Sequence, residues 1–109
     1  MKIKIDNLII DCDVAFSQHE KEKGLMGQEN PKPMAFLYSS PGLNKFWMKN
    51  TPCKLLIIFC YQGKVISVDY GIPYSLKSVG PNKLSDLVIE LPAYLYDGAV
   101  AVGATVSFL

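Results

Sequence analysis

The feature that most constrains the fold is the alternation of apolar and polar residues in short segments separated by turns. Ile3 and Ile5 alternate with lysines, and a second alternating segment puts four side chains on one face: Ile10, Cys12, Val14 and Phe16. Successive side chains of a strand point to opposite faces, so this pattern is typical of half-buried strands. Leu55 to Tyr61 is apolar throughout, as expected of a strand covered on both faces.

The remaining elements are predicted from turn residues and one capping motif. Ser17 with Glu20 three positions later forms a capping box, which predicts a helix over about Gln18 to Met26, with Gly27 as its stop. Further strands are predicted at residues 34–38, 45–49, 64–70, 86–91 and 105–109, with a helical turn at 92–97. Many short strands with one helix predict a mainly β fold, a compact β-sandwich or barrel.

Composition limits the function classes. The 109 residues, of which 50% are hydrophobic, predict a single domain over 1–109 and exclude a disordered tail. A net charge of +1 disfavours general nucleic-acid binding, which needs many phosphate contacts. The amino terminus does not have the pattern of a signal peptide, and no apolar run approaches the ~20 residues that span a bilayer. We therefore expect a cytoplasmic protein without membrane attachment.

The cysteine and histidine residues are too few to form a metal site or a disulfide framework. The three cysteines are widely spaced and there is one histidine, so we expect no metal site and no cofactor. Cys12 lies on an apolar strand face and is predicted to be inert. Cys53 is near Lys49 and Lys54, and cationic neighbours lower the pKa of a thiol. A Cys–His enzyme would also need His19, which lies among the charges of the predicted helix.

The densest polar cluster is residues 46–51, Phe-Trp-Met-Lys-Asn-Thr. If this segment is a strand, Trp47 and Lys49 point to one side, and Asn50 and Thr51 continue the polar set at its end. An indole wall, an ammonium charge and two orienting polar groups suit a small anionic or hydroxylated ligand. The alternative interpretation is that Trp47 belongs to the core, Lys49 is solvated and residues 50–52 form a turn.

The chain resembles the family named domain of unknown function 192. The resemblance rests on the uninterrupted FWMKNT of residues 46–51, preceded by Gly-Leu-Met at 24–26 and followed by Val-Ile-Glu-Leu at 88–91. It covers the chain from about Val14 onward. The resemblance implies a small β-rich domain of jelly-roll character with a short helix, and it implies no established activity.

Three positions depart from the family pattern. Gln28 stands where the family usually has arginine, Leu56 where an acidic residue is usual, and Ala104 where an aspartate is usual. If those charges belong to one pocket with Lys49, the pocket of this protein is more neutral. Glu90 keeps its family position and is expected to pair with Lys49, although a solvent-facing glutamate is the alternative.

Two function classes follow from these residues and their patterns. The first is a non-enzymatic domain that binds a small nucleotide- or sugar-like ligand through six residues: Trp47, Lys49, Asn50, Thr51, Tyr74 and Glu90. The second is a structural or interaction module, or a homo-oligomer, joined through its tyrosine-bearing loops: Tyr70, Tyr74, Tyr94 and Tyr96. The resemblance and the small size also suit a viral protein that sequesters a host metabolite in the cytoplasm or serves in a virus particle. A small hydrolase-like enzyme ranks third, because no complete acid–base or nucleophile set is visible.

Overall fold

The computed structural model describes residues 1–109 and contains eight strands and two short helices. The elements, in chain order, are β1 (Lys2–Ile5), β2 (Leu8–Asp11), β3 (Asp13–Ala15), α1 (Gln18–Lys23), β4 (Met34–Gly42), β5 (Leu55–Tyr61), β6 (Lys64–Gly71), β7 (Ser85–Pro92), α2 (Ala93–Tyr96) and β8 (Val106–Phe108). Strand content far exceeds helix content, which confirms the mainly β prediction.

The strands form two sheets. One has three strands in the order β2-β1-β8, and the other has five in the order β3-β4-β7-β5-β6. All pairs are antiparallel except β3 with β4, which are joined through α1 and pair in parallel. The sheets do not close into a barrel, so the sandwich form of the prediction is the one observed.

The five-stranded sheet is covered on both faces. The first core lies between the two sheets and takes in Leu56, Ile58 and Cys60 of β5. The second core lies on the opposite face and takes in Leu55, Ile57 and Phe59. This arrangement confirms that the apolar run of residues 55–61 is a strand without a solvent face.

Helix α1 begins as predicted and ends early. The Ser17 hydroxyl accepts a hydrogen bond from the backbone N–H of Glu20, whose carboxylate accepts one from the Ser17 N–H. The helix ends at Lys23, because Gly24 adopts a positive φ of 48° and leaves the helical conformation. The predicted end at Met26 and stop at Gly27 are therefore wrong by three residues.

Two predicted strands differ from the structure. The segment of residues 10–16 divides at Cys12 into β2 and β3, which belong to different sheets. As the chain changes sheets the alternation shifts, so Ala15 is buried while Phe16 is largely exposed. Residues 45–49 form no strand, because the backbone pairs only through an isolated bridge between Phe46 and Val79. Neither helix is long and apolar enough to cross a membrane.

Candidate functional site

The main concave site lies on the second-core face of the five-stranded sheet. Helix α1 and the turn after it cover one side of the site, and the loop between β4 and β5 covers the other. We call this site the Glu90 cleft, after the residue at its floor, with walls formed by Phe36, Tyr38, Phe46 and Trp47. Its volume of about 490 Å³ is within the range of pockets that hold small molecules.

The carboxyl group of Glu90 forms the floor of the cleft. Strand β7 alternates, so Val88 and Glu90 face the cleft side while Ile89 faces the first core. Glu90 is only 4% exposed, and burial raises the pKa of its carboxyl group to about 8. Burial is the sole cause of that shift, because no hydrogen bond or ion pair reaches the carboxyl group. No side-chain oxygen or nitrogen of the protein is fully enclosed without a hydrogen-bond partner, so the carboxyl oxygens of Glu90, which have none, keep a small exposed area. A largely buried carboxyl group without a partner is uncommon in folded proteins.

The walls of the Glu90 cleft are aromatic side chains from two segments. Strand β4 contributes Phe36 and Tyr38, and the β4–β5 loop contributes Phe46 and Trp47. The Phe46 ring packs edge-on against Phe36, with ring centres 5.0 Å apart. Burial raises the pKa of the Tyr38 hydroxyl to about 12, with a smaller contribution from the Glu90 charge. Trp47 lines the cleft and is 50% exposed. The walls therefore offer flat apolar surface, part of which remains open to solvent.

Three lysines line the cleft, Lys21, Lys23 and Lys45, and contacts within the protein hold the first and the last of them. The Lys21 ammonium lies 3.9 Å from the centre of the Tyr38 ring, a cation–π contact. The Lys45 ammonium donates hydrogen bonds to the carbonyl oxygens of Gly80 and Pro81, at 2.6 and 2.8 Å, and to the side chain of Asn82. These contacts hold both positive charges at fixed positions near the opening.

The structure brings together three of the six predicted ligand residues. Trp47, Thr51 and Glu90 line the cleft, whereas Lys49, Asn50 and Tyr74 do not.

The indole of Trp47 and the ammonium of Lys49 do lie on one side, 5.2 Å apart, as the alternation predicted. The expected pairing of Lys49 with Glu90 is wrong, because the Glu90 carboxyl group has no charged partner.

The two remaining outer residues have structural roles in turns. Asn50 has a φ of 56°, and its carbonyl accepts a hydrogen bond from the Gly27 N–H at 2.7 Å. Tyr74 also has a positive φ, and its N–H donates to the Thr51 carbonyl. The Thr51 hydroxyl donates to the Lys49 carbonyl at 3.2 Å, which fixes its direction. These bonds position the segment that carries Trp47 against the cleft.

Sequence patterns alone missed Tyr38, Lys21 and Lys45. Tyr38 shares a face with Phe36 in the alternation of β4, which was a usable signal. The two lysines come from α1 and from a loop, and no local pattern indicates that they line the same cleft as Glu90.

The three departures from the family pattern do not meet at the cleft. Leu56 and Ala104 both belong to the first core, between the sheets, and Gln28 is exposed. The condition under which they would make one pocket with Lys49 more neutral is therefore not met, and none of the three lines the Glu90 cleft.

The cysteines are buried and free, and burial raises the pKa of each thiol. The lowered pKa expected for Cys53 is wrong, because burial raises the pKa of its thiol and no lysine contributes to the shift. Neither Cys53 nor His19 lines the cleft. No group of three His, Cys, Asp or Glu side chains is placed to hold a metal ion.

Thiol labelling of the native protein should be slow and should modify Cys53 first. Cys53 is 7% exposed, against 1% for Cys12 and Cys60, whose pKa values are raised to about 11 and about 12. Labelling with a maleimide, mapped by mass spectrometry, checks the order, and urea-unfolded protein provides the fully reactive control. Modification of Cys12 before Cys53 would contradict the position of Cys12 at the boundary of the sheets.

Comparison with known proteins adds a family and a fold. The model of the family described as DUF192, uncharacterized ACR, matches residues 1–108. A protein of unknown function from Novosphingobium aromaticivorans DSM 12444 has a similar structure, with a TM-score of 0.89 and 23% identity over 98% of this chain and 84% of that one. A candidate transcription regulator from Sinorhizobium meliloti 1021 is similar at a TM-score of 0.85 and 19% identity, over 97% and 89% of the two chains. No curated protein matches the sequence.

Proposed function

The chain belongs to the DUF192 family, whose activity is uncharacterized, and from that premise we propose that it is a non-enzymatic domain that binds a small anionic or hydroxylated molecule in the Glu90 cleft. The observation that carries this proposal is a carboxyl group, 4% exposed and without a partner, at the floor of a cleft of about 490 Å³. Retaining such a group costs stability unless a ligand uses it.

The surroundings of Glu90 support a binding role. Aromatic walls with a few convergent polar groups are the usual make-up of a small-molecule site. Lys21 and Lys45 add positive charge at the mouth, which favours an anion, and a carboxyl group bonds readily to hydroxyl groups. A cleft that binds without reacting would suit sequestration of a metabolite, including sequestration by a viral protein in a host cytoplasm.

Fluorescence of the only tryptophan tests the proposal directly. Trp47 lines the cleft with half of its surface exposed, so a bound molecule should change its emission. The titration would use a panel of sugars, sugar acids and nucleotides, and native mass spectrometry of freshly purified protein would detect any retained compound. If no compound changes the emission and none is retained, the proposal is wrong.

Two lysines provide a matched pair of variants. Lys21 and Lys49 each lie beside an aromatic ring, at 3.9 and 5.2 Å, but only Lys21 lines the cleft. Lys21→Ala should weaken binding by about 1.5–3 kcal/mol, the scale of a charged hydrogen bond, while Lys49→Ala should leave it nearly unchanged. The reverse result would move the site to the outer side of Trp47, where the sequence pattern had put it.

An interaction module is the second candidate, and exposed apolar side chains favour it. Ile72, Tyr74 and Leu76 are each more than half exposed on the loop after β6, and Tyr94 and Leu95 are similarly exposed on α2. Exposed apolar side chains of this size are typical of contact surfaces with another protein or a second copy. Sedimentation velocity over a range of protein concentrations would detect self-association through them.

A further inference from the structure

The Glu90 carboxyl group is in a position where its charged form is costly. It is 4% exposed, it lines the cleft, and it has no hydrogen bond or ion pair from the protein. An ionised carboxylate without a partner is strongly disfavoured in such a place. At neutral pH the group is therefore mainly a neutral acid, which carries one O–H donor beside one acceptor.

The charges around the cleft are mostly positive. Helix α1 contributes Lys21, Glu22 and Lys23, and the β4–β5 loop contributes Lys45. Strand β4 contributes Tyr38 to the cleft, and its hydroxyl remains protonated because burial raises its pKa to about 12. Strand β5 faces the cleft with apolar side chains only. Three ammonium groups against one rim carboxylate favour an anion in the cleft over an organic cation.

We propose that the neutral Glu90 carboxyl group donates a hydrogen bond to an oxyanion of the bound molecule, so that the ligand class is a small hydroxylated oxyanion. This assignment rests on the proposed function and specifies its ligand. An O–H donor to a charged oxygen forms a short, strong hydrogen bond, and the lysines at the mouth neutralise the remaining charge. When Glu90 is ionised, its carboxylate has no O–H to donate, and its negative charge repels the oxyanion. Binding of the oxyanion therefore requires a protonated Glu90.

The pH dependence of affinity identifies the ligand class. Three probes are used. Glucuronate is a hydroxylated carboxylate, glucose is its uncharged counterpart, and choline is a permanent cation. With a pKa of about 8, the neutral fraction of Glu90 falls about tenfold between pH 7 and pH 9. Calorimetric affinity for glucuronate should therefore fall about tenfold or more over that interval, and glucuronate should bind more tightly than glucose or choline at pH 7.

Glu90→Gln is the matched control. The carboxamide keeps a hydrogen-bond donor and similar size but does not ionise. The variant should bind glucuronate with an affinity that changes less than about twofold between pH 7 and pH 9, within the scatter of such measurements. Circular dichroism at both pH values confirms that each protein remains folded. Carbon-13 NMR of the Glu90 carboxyl group gives an independent readout, since bound glucuronate should raise its pKa further.

Three results would overturn the assignment. They are saturable glucuronate binding that stays constant or strengthens toward pH 9, choline binding more tightly than glucuronate, and no saturable binding of any of the three probes. The first two leave the proposed function standing with another ligand class. The third removes the oxyanion assignment, while the proposed function fails only if the wider compound panel and native mass spectrometry also detect nothing.

Discussion

Raising the pH from 5 to 8 should lower the free energy of unfolding by about 3–4 kcal/mol, because one buried carboxyl group must stay protonated in the folded state. The pKa of Glu90 is about 8 in the folded protein, against an ordinary value of 4.5. Between those two values the unfolded chain releases this proton while the folded chain retains it. The contribution of Glu90 to the free energy of unfolding is thus fully present below pH 4.5, and it is lost as the pH rises toward 8.

Urea unfolding at pH 5, 6, 7 and 8 measures this slope, and Glu90→Gln provides the control. The variant retains a neutral polar group, so its free energy of unfolding should change little across the interval. The exposed acids with lowered pKa values, Asp11 and Glu20, lose their contribution only in more acidic solution, outside this window. A wild-type protein equally stable at pH 5 and pH 8 would show that Glu90 is ionised without penalty.

Phe59→Ala should destabilise the fold by about 3–5 kcal/mol, the cost of removing a buried aromatic side chain and leaving a cavity. Phe59 is fully buried in the second core, and its ring packs edge-on against Phe46 with centres 5.8 Å apart. Close packing continues at Gly80, where an added Cβ would lie 3.1 Å from the Phe59 ring. The side chain therefore supports the loop that forms one wall of the cleft.

Trp47→Ala is the comparison for Phe59→Ala. Trp47 has a larger side chain, but it is 50% exposed. Its removal should therefore cost no more than about 1.5 kcal/mol. Urea unfolding followed by circular dichroism measures the free energy of unfolding of both variants. Tryptophan fluorescence does not serve here, because Trp47→Ala removes the only tryptophan. If Trp47→Ala proves the more destabilising, the indole belongs to the core and the open wall of the cleft does not exist.

Local patterns predicted the direction of side chains better than the pairing of backbones. In residues 46–51, Phe46 and Met48 point inward and Trp47 outward, as alternation predicted, yet this stretch is no strand. Its backbone bonds go to a distant loop: the Met48 N–H donates to the Ser75 carbonyl. An alternation of apolar and polar residues indicates that the two sides of an extended segment differ in burial. It does not indicate that the segment pairs with a neighbouring strand.

Tertiary contacts account for what the sequence could not predict. The face of Glu90 followed from the alternation of β7, but its neighbours across the cleft come from α1 and the turn after it, where a Cβ added to Gly24 would lie 3.8 Å from the Glu90 Oε1 atom. The change of sheet at Cys12 has no local signal, because the apolar residues of the sequence keep period two from Ile10 to Phe16 even though the burial of the side chains shifts. The helix start at Ser17 was predictable because a capping box is complete within four residues.

The pairing of β1 with β8 has a consequence for the order of assembly during synthesis. Ile3 pairs with Phe108, so the three-stranded sheet joins residues from opposite ends of the sequence. Such a distant pairing closes a loop of nearly the whole chain, and topologies of this kind fold slowly, on a scale of about milliseconds to seconds. Because synthesis runs from the amino to the carboxyl end, β1 is made long before β8 and lacks this partner until β8 follows. Through that interval the edge of β1 that will pair with β8 keeps its backbone groups unpaired, and an unpaired strand edge in a partly made domain is prone to aggregation.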